Sequence, residues 1–214
     1  MYRPCFKTIG QRILPGGLIA LLTLLSACSS TPPKNISNSC EIFREKDGWF
    51  EDWYDAANTS YKKWGVPVHV QLAIIHQESR FKHDAETEME YFLWIIPIGR
   101  KSSAYGYAQV KDETWDWYRD KTRNWSADRD DFEDAVDFIG WYGKMSYDTL
   151  KISKWDAKNQ YLAYHEGHGG FKRKSYEQKP WLKKVAYKVE SNAKRYRAQL
   201  GQCRDELESG WWFW

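Results

Sequence analysis

The sequence has little excess charge of either sign and no long hydrophobic run. Its formal net charge is +3, and the cations Arg3, Lys7 and Arg12 lie in an N-terminal segment that we expect to be removed. The mature chain would then be close to neutral, without the basic stripe that indicates a nucleic-acid-binding protein. The longest apolar run, residues 13–25, is shorter than the roughly 20 residues that a membrane-spanning helix needs.

The N-terminal segment has the organisation of a bacterial secretory signal. Its cations precede the apolar run, and the run ends in Leu25-Ser26-Ala27-Cys28, which resembles the lipobox of bacterial lipoproteins. The resemblance implies a signal peptide over residues 1–27, cleavage before Cys28, and lipidation of its sulfur as a membrane anchor. Because Ser29 rather than Asp follows, the sorting pattern favours the inner leaflet of the outer membrane, facing the periplasm.

After the lipidated cysteine we expect a tether and then one domain. Residues 28–40 include the polar, proline-bearing stretch SSTPPKNISNS, which has nothing to bury. Residues 41–203 are long enough for one domain with a core. Residues 204–214 end in the aromatic tail Trp211-Trp212-Phe213-Trp214, which could fold against the domain, bind glycan or lie at a lipid interface.

Cysteine is scarce, with four positions in the whole chain. Cys5 is lost with the signal peptide, and Cys28 carries the lipid. Cys40 and Cys203 remain as an even pair in an oxidising compartment, so we predict a disulfide that joins the two ends of the domain. Closing a loop of that length stabilises the fold by roughly 4–5 kcal/mol in the chain-entropy model.

Apolar residues at helical spacing dominate the domain and predict a mainly α fold. The apolar run at residues 91–99 breaks this pattern, and it predicts a small hairpin or lobe that packs beside a cleft or touches the membrane. Gly65 should end the first long helix, and Asp156 should cap a later one. The pattern predicts helices over residues 49–64, 68–81, 128–147, 156–164 and 180–203, with a further helix starting at Lys111.

One carboxylate, Glu78, follows the apolar face of the helix predicted over residues 68–81. Gln71, Ile74 and Ile75 precede it at helical spacing. Loss of water and a nearby helix C-terminus both raise the pKa of such a carboxyl. A raised pKa suits a general acid that works near neutral pH, whereas a half-solvated, idle glutamate is the alternative from this helix alone.

Three short motifs follow one another along the chain: Glu78-Ser79-Arg80-Phe81, Gly106-Tyr107-Ala108-Gln109 and Ala163-Tyr164-His165-Glu166-Gly167. In this order they resemble the E-S-x-F, G-L-M-Q and A-Y-N-A-G motifs of the lytic transglycosylases in the soluble-lytic-transglycosylase and goose-type lysozyme superfamily. The resemblance covers roughly residues 53–199, and it implies a mainly α, lysozyme-like helical domain with a small irregular or hairpin insertion near the cleft. The family's final helix offers a tyrosine to the cleft, for which Tyr187 is the best match.

The family pattern implies a single catalytic residue. Glu78 would protonate the glycosidic oxygen between N-acetylmuramic acid and N-acetylglucosamine. It would then accept the proton of the muramyl 6-hydroxyl, which closes a 1,6-anhydro ring. No water is consumed, in contrast to the two-carboxylate hydrolases. The implied partner is the peptidoglycan glycan strand, and we expect a monomer that needs no cofactor.

The resemblance also implies groups around Glu78. Ser79 and Gln109 would position the substrate or the catalytic residue. Tyr164 and Tyr187 would hold the Glu78 carboxyl or shape its pocket. A hydroxyl that donates to the carboxylate lowers its pKa, and this opposes the effect of burial.

The chain departs from the family pattern inside two motifs. Tyr107-Ala108 replaces a Leu-Met pair, His165 replaces Asn, and Glu166 replaces Ala. We expect Tyr107 and His165 to contact substrate. His165 and His168 also raise the possibility of a metal, but zinc-binding histidines on a helix are spaced i and i+4, and these are i and i+3. We therefore expect no metal site.

Two other functions are compatible with the sequence. A lysozyme-like hydrolase would need a carboxylate to position water, for which Asp84, Glu86 and Asp112 are candidates by position. A catalytically weak peptidoglycan-binding lipoprotein is favoured by the change to His165. The retained Glu78 favours an enzyme, because an acid is of no use for binding alone.

Overall fold

A computed structural model describes residues 31–46 and 52–209. Within these ranges the chain forms a mainly helical domain with a two-stranded hairpin, which confirms the predicted lysozyme-like fold class. The predicted signal peptide, Cys28 and the aromatic tail lie outside the described residues. The elements are α1 (Ser39–Glu45), α2 (Trp53–Trp64), α3 (Val68–Glu78), β1 (Met89–Phe92), β2 (Ile96–Arg100), α4 (Asp112–Thr122), α5 (Phe132–Leu150), α6 (Ala157–Lys172), a 3-10 turn (Ser175–Gln178) and α7 (Pro180–Ser209).

Helix α3 is the centre of the domain. Its residues from Val68 to His76 are all buried, so the helix is covered on every side rather than along one stripe. It packs against α7 and is also contacted by α2, α5 and α6. The helix ends at Glu78, earlier than predicted, because Arg80 and Phe81 adopt left-handed backbone conformations with φ of 55° and 64°.

Aspartate caps set the starts of three helices. Helices α2, α5 and α6 follow Asp52, Asp131 and Asp156, and each side chain accepts an N–H of the first turn. Such a cap is worth about 1 kcal/mol, since it satisfies an otherwise free donor. The predictions of Asp156 as a cap and of Gly65, with φ 77°, as the end of α2 are confirmed. Helix α5 begins at Phe132 rather than at residue 128.

The disulfide predicted between Cys40 and Cys203 is present. It joins α7 to α1, a short helix that the apolar spacing did not reveal and that Asn38 caps. The buried core cluster of the described residues runs from Cys40 to Cys203, so a chain that starts at Ser29 retains it entirely. Helix α7 continues beyond the predicted end to Ser209.

Part of the segment predicted as a tether packs on the domain. Pro33 is buried, and the Tyr196 hydroxyl donates a hydrogen bond to the Ile36 carbonyl. The Gln199 side chain donates to the Ser37 carbonyl at 3.2 Å. Residues 33–38 therefore belong to the domain, because their two apolar residues find contacts that the polar composition of the segment concealed.

The predicted hairpin is confirmed, and the second of its strands is exposed along its whole length. Strands β1 and β2 pair antiparallel, with Tyr91 opposite Pro97, and Leu93 and Trp94 turn the chain with φ of 51° and 67°. The residues of β2 are all exposed. Among the helices that the structure describes, none has the length and apolar character needed to cross a bilayer.

Candidate active site

Glu78 is the last residue of α3, at a sharp change of chain direction. Ser79 caps the helix: its N–H donates to the Ile75 carbonyl at 3.0 Å, and its hydroxyl contacts the same carbonyl at 3.4 Å. Phe81 is fully buried and lies near the ring of Trp53, with centroids 6.0 Å apart. The buried phenylalanine fixes the turn, and this holds the Glu78 side chain at the end of the helix.

The surroundings of Glu78 keep its carboxyl protonated up to about neutral pH. The residue retains a partly exposed surface, yet protein atoms enclose the carboxyl. Burial raises the pKa of Glu78 to about 7, although a hydrogen bond from the Tyr161 hydroxyl acts in the opposite direction. The loss of water therefore outweighs the hydrogen bond, which is the condition that a general acid needs.

Two tyrosines of α6 flank this carboxyl. Burial and the charge of Glu78 both raise the pKa of Tyr161 and of Tyr164 above the usual range, so both hydroxyls stay protonated. Tyr161 donates to Glu78 itself, while the Tyr164 hydroxyl donates to the Ala108 carbonyl at 2.5 Å. The hydrogen bond to the Glu78 carboxyl therefore comes from Tyr161. Tyr164, one of the two tyrosines expected to hold this carboxyl or shape its pocket, lies close enough for the charge of Glu78 to raise its pKa. Its hydroxyl also connects α6 to the loop that carries Gln109.

The loop at residues 105–110 is built around Gly106. Its φ is 75°, and a Cβ at this position would lie 2.0 Å from the carbonyl oxygen of Arg129, so both the backbone conformation and the close approach require glycine. The Gly106 N–H and the Gln109 amide both donate to the Ala85 carbonyl, at 2.9 and 2.7 Å. Gln109 also donates to the Gly106 carbonyl at 3.0 Å. The amide nitrogen of Gln109 thus braces the loop.

Two other predicted site residues, Tyr107 and Tyr187, have opposite environments. Tyr107, expected to contact substrate, is 1% exposed and packs edge-on against Trp53 and Phe132, which places it in the core. Tyr187 is 58% exposed, with the Lys158 ammonium 4.9 Å above its ring.

His165 lies at the surface beside the tyrosine that binds Glu78. Its ring centroid is 6.4 Å from that of Tyr161 and 5.3 Å from that of Trp181. Its Nδ1 is 3.1 Å from a carboxylate oxygen of Glu166. Its position, one turn after Tyr161 on α6, is compatible with the expected contact to substrate.

Glu166, which departs from the family pattern, has a structural role. Its carboxylate accepts hydrogen bonds from Ser175 and, at 2.7 Å, from Lys179. Burial alone would raise the pKa of Glu166, but these bonds and that of His165 hold it at about 2. Helix α6 runs past its predicted end with a break at Gly167, whose φ and ψ are 70° and 160°. The glutamate therefore ties the end of α6 to the 3-10 turn.

The two histidines of this stretch have separate environments. The His168 Nε2 is 3.0 Å from the Ser146 hydroxyl, its ring stacks on Tyr142 at 4.6 Å, and burial lowers its pKa. His165 is paired with Glu166 instead. Within residues 31–46 and 52–209, no group of three or more His, Cys, Asp or Glu side chains is arranged to hold a metal ion.

The carboxylates considered for a hydrolase are mostly occupied. Glu86 forms an ion pair with Arg100. Asp112 forms one with Arg129 at 2.7 Å. Asp84 is an exposed residue of the loop after α3. The hydrogen bond to the Glu78 carboxyl comes from Tyr161 on α6.

Tyr161 is the site residue that the sequence analysis missed. It precedes Tyr164 by three positions, so the two fall on the same face of α6. That spacing is the signal that could have identified it. The site thus joins three separate segments: the end of α3, the face of α6 that carries the two tyrosines, and the loop of Gly106.

Comparison with known families agrees with this arrangement. The family model described as the transglycosylase SLT domain matches residues 17–203, which include all three segments of the site. No curated protein and no solved structure matches the chain significantly. Because the match covers most of the sequence and the buried acid lies at the helix end, the chain belongs to the transglycosylase SLT domain family.

Proposed function

We propose that the protein is a peptidoglycan lytic transglycosylase that cleaves the bond between N-acetylmuramic acid and N-acetylglucosamine and leaves 1,6-anhydro-muramic acid ends. The observation that carries this proposal is the position of Glu78 at the end of α3, where the residue is partly exposed while protein atoms enclose its carboxyl, and burial raises the pKa of Glu78 to about 7. The family match supports the substrate class and the type of reaction.

In the first step the protonated Glu78 acts as the general acid. Its proton passes to the glycosidic oxygen while the bond from that oxygen to the anomeric carbon breaks, and the leaving sugar departs as an alcohol. Positive charge develops at the anomeric carbon as Glu78 becomes an anion. A pKa of about 7 keeps a large fraction of Glu78 protonated in the free enzyme near neutral pH.

In the second step the Glu78 carboxylate acts as the base. It accepts the proton of the muramyl 6-hydroxyl while that oxygen attacks the anomeric carbon and closes the anhydro ring. The proton given in the first step is thereby returned, and no water enters the product. The hydrogen bond from Tyr161 stabilises the anion between the two steps, because a hydroxyl donor favours the charged form.

The remaining groups position the acid and the sugar. Ser79 is a positioning residue, because its hydrogen bonds to the preceding turn fix the end of α3. Tyr164 and Gln109 hold the loop at residues 105–110 against α6 and the Ala85 carbonyl. His165, at the surface beside Tyr161, and the exposed Tyr187 are proposed to contact the glycan strand.

The ion pairs of two of the three other candidate carboxylates favour a mechanism with a single acid over hydrolysis. An inverting hydrolase needs a second carboxylate, roughly 6.5–9.5 Å from the acid, that is free to activate water. Of the three candidates, Glu86 and Asp112 neutralise Arg100 and Arg129, and Asp84 is an exposed residue of the loop after α3.

We further propose that the protein is a lipoprotein of the outer membrane with its domain in the periplasm. The sequence Leu25-Ser26-Ala27-Cys28 supports this location, and the disulfide between Cys40 and Cys203 fits an oxidising compartment. Mass analysis of the protein isolated from membranes tests the anchor. A diacylglyceryl group on Cys28 is expected, and a chain that retains residues 1–27 would contradict the proposal.

The activity is tested by digesting purified peptidoglycan sacculi and reading the released products by mass spectrometry. The expected products are one water lighter than reducing-end muropeptides, and they should disappear with Glu78→Gln. Glu177→Gln, an exposed residue of the 3-10 turn, is the matched control and should leave release unchanged.

Two outcomes would reject the proposal. Products with reducing ends would make the enzyme a lysozyme-like hydrolase. Binding to sacculi without any release would make it a peptidoglycan-binding lipoprotein on an enzyme's fold.

A further inference from the structure

The hairpin formed by β1 and β2 carries an unusually exposed set of apolar side chains. At its turn Trp94 is 95% exposed and Ile95 is 81% exposed. Patches of this kind on a soluble domain mark an interaction surface rather than ordinary surface variation. The other large hydrophobic residues exposed on the hairpin are Met89, Tyr91, Leu93, Ile96 and Ile98. We call residues 89–100 the apolar hairpin.

Both faces of the apolar hairpin are uncovered. Ile96 and Ile98 share one face, since side chains along a strand alternate, and both are exposed. Tyr91 is paired with Pro97, so its exposed ring belongs to the other face. A two-stranded hairpin with no covering layer is marginal in water. An occupant that covers this hairpin must therefore surround it rather than lie against one side.

The chemistry of the hairpin points to lipid. Residues 91–99 contain no charged side chain, and the hydroxyl of Tyr91 and the indole N–H of Trp94 are their only side-chain hydrogen-bonding groups. A glycan needs many polar partners, and a protein groove would cover a single face. A lipid surface surrounds an inserted turn on all sides. Tyrosine and tryptophan favour its interface, because each has an apolar body and a polar tip.

The charged groups of the hairpin lie on the side away from its turn, and Glu90, opposite Gly99, is the one nearest to the turn. Arg100 pairs with Glu86, and the Lys101 ammonium lies 2.9 Å from the Glu88 carboxylate. A strand of this length extends roughly 15 Å, which exceeds the roughly 5–10 Å to which interfacial elements insert. The turn can therefore enter the lipid while the ion pairs stay at the headgroups.

We infer that the turn of the apolar hairpin inserts into the lipid surface of the membrane, as a second contact beside the predicted lipid on Cys28. Pro33, which is buried on the domain, is only five residues from Cys28. Five residues span at most roughly 17 Å, so a lipid on Cys28 would hold the domain close to the bilayer.

The inserted hairpin would also orient the active site. Its base is joined to the active-site loop, since the Ala85 carbonyl accepts hydrogen bonds from both Gly106 and Gln109. Insertion would therefore fix the orientation of the Glu78 site relative to the membrane. The membrane contact itself does not depend on the proposed catalytic activity.

Vesicle co-sedimentation tests the contact without the lipid anchor. The chain from Ser29 onward retains the core cluster and both disulfide cysteines, and it is mixed with vesicles of phosphatidylethanolamine and phosphatidylglycerol. The double variant Trp94→Glu/Ile95→Glu should bind to the vesicles at least about tenfold more weakly than the unchanged chain, because two apolar side chains at the turn become charged. Trp125→Glu is the matched control, because Trp125 is 60% exposed on a different loop. Thermal unfolding should be the same for all three chains.

The full lipidated chain gives a second measurement. It is reconstituted in vesicles that contain brominated lipid, which quenches only tryptophans within the bilayer. Trp94→Phe should lower the quenched emission, and Trp125→Phe should leave it unchanged. The inference is overturned if the soluble chain does not bind vesicles, or if neither Trp94 variant changes binding or quenching. A double variant that loses sacculus binding but keeps vesicle binding would also overturn it, in favour of a glycan contact.

Discussion

Replacing Glu78 with Gln should make the protein more stable at neutral and alkaline pH, although it should abolish activity. The folded state raises the pKa of Glu78 from 4.5 to about 7, chiefly by burial. Between these two pH values the folded protein keeps the proton while the unfolded chain releases it. The free energy of unfolding therefore falls as the pH rises through this range. Glutamine is neutral at every pH, so the Glu78→Gln protein does not lose this stability as the pH rises.

The size of the effect follows from the pKa values. Each unit of difference between the folded and unfolded states corresponds to about 1.4 kcal/mol. Above pH 7 the free energy of unfolding of Glu78→Gln should therefore exceed that of the unchanged protein by about 3 kcal/mol. Below pH 4.5 this contribution vanishes. Tyr161 can still donate to the side-chain oxygen of a glutamine, so this hydrogen bond is not the source of the change.

Urea unfolding of the two proteins at a series of pH values from 4 to 8 measures this difference. Other titrating groups contribute equally to both proteins and cancel when the free energies are subtracted. Glu177→Gln, at an exposed position of the 3-10 turn, is the control and should give a small difference that does not change with pH. A Glu78→Gln difference that is constant with pH, or that grows toward acid, would refute the assignment of Glu78 as a buried acid.

Three further predictions address the site and its support. Tyr161→Phe removes the hydrogen bond that lowers the pKa of Glu78, so the alkaline limb of the pH–rate profile should move to higher pH, by roughly one unit; an unmoved or lower limb would contradict this role. Replacing Cys40 and Cys203 with Ser should lower the free energy of unfolding by about 4 kcal/mol in denaturant titrations, and free thiols in the untreated protein would exclude the bridge. Gly106→Ala places a Cβ 2.0 Å from a backbone carbonyl, so it should lower the melting temperature and the activity together; a variant with native melting would show that the loop adapts.

The sequence identified the elements that local chemistry determines. Asp156 caps α6 and Gly65 ends α2 because capping depends on a few adjacent residues. Cys40 and Cys203 could be paired because they are the two cysteines left after the predicted loss of Cys5 and the predicted lipidation of Cys28. The position of a carboxylate at the end of an apolar helix likewise follows from spacing.

Features that depend on tertiary contacts were not predictable in the same way. Tyr107 belongs to a motif that resembles a cleft segment, yet its ring fills the core against Trp53 and Phe132. The balance between burial and hydrogen bonding at Glu78 depends on which tyrosine reaches it, and only the fold selects Tyr161. The apolar run at residues 91–99 looks the same in sequence whether it packs or projects, because both require hydrophobic side chains.

Digestion of sacculi in water enriched in ¹⁸O tests the central claim most directly. If the Glu78 carboxylate accepts the proton of the muramyl 6-hydroxyl while that oxygen attacks the anomeric carbon, the anhydro ring closes without water, and the released products should contain no ¹⁸O. Incorporation of one ¹⁸O at each new end would contradict the single-acid mechanism. It would show that a water molecule attacks the anomeric carbon, as in a hydrolase.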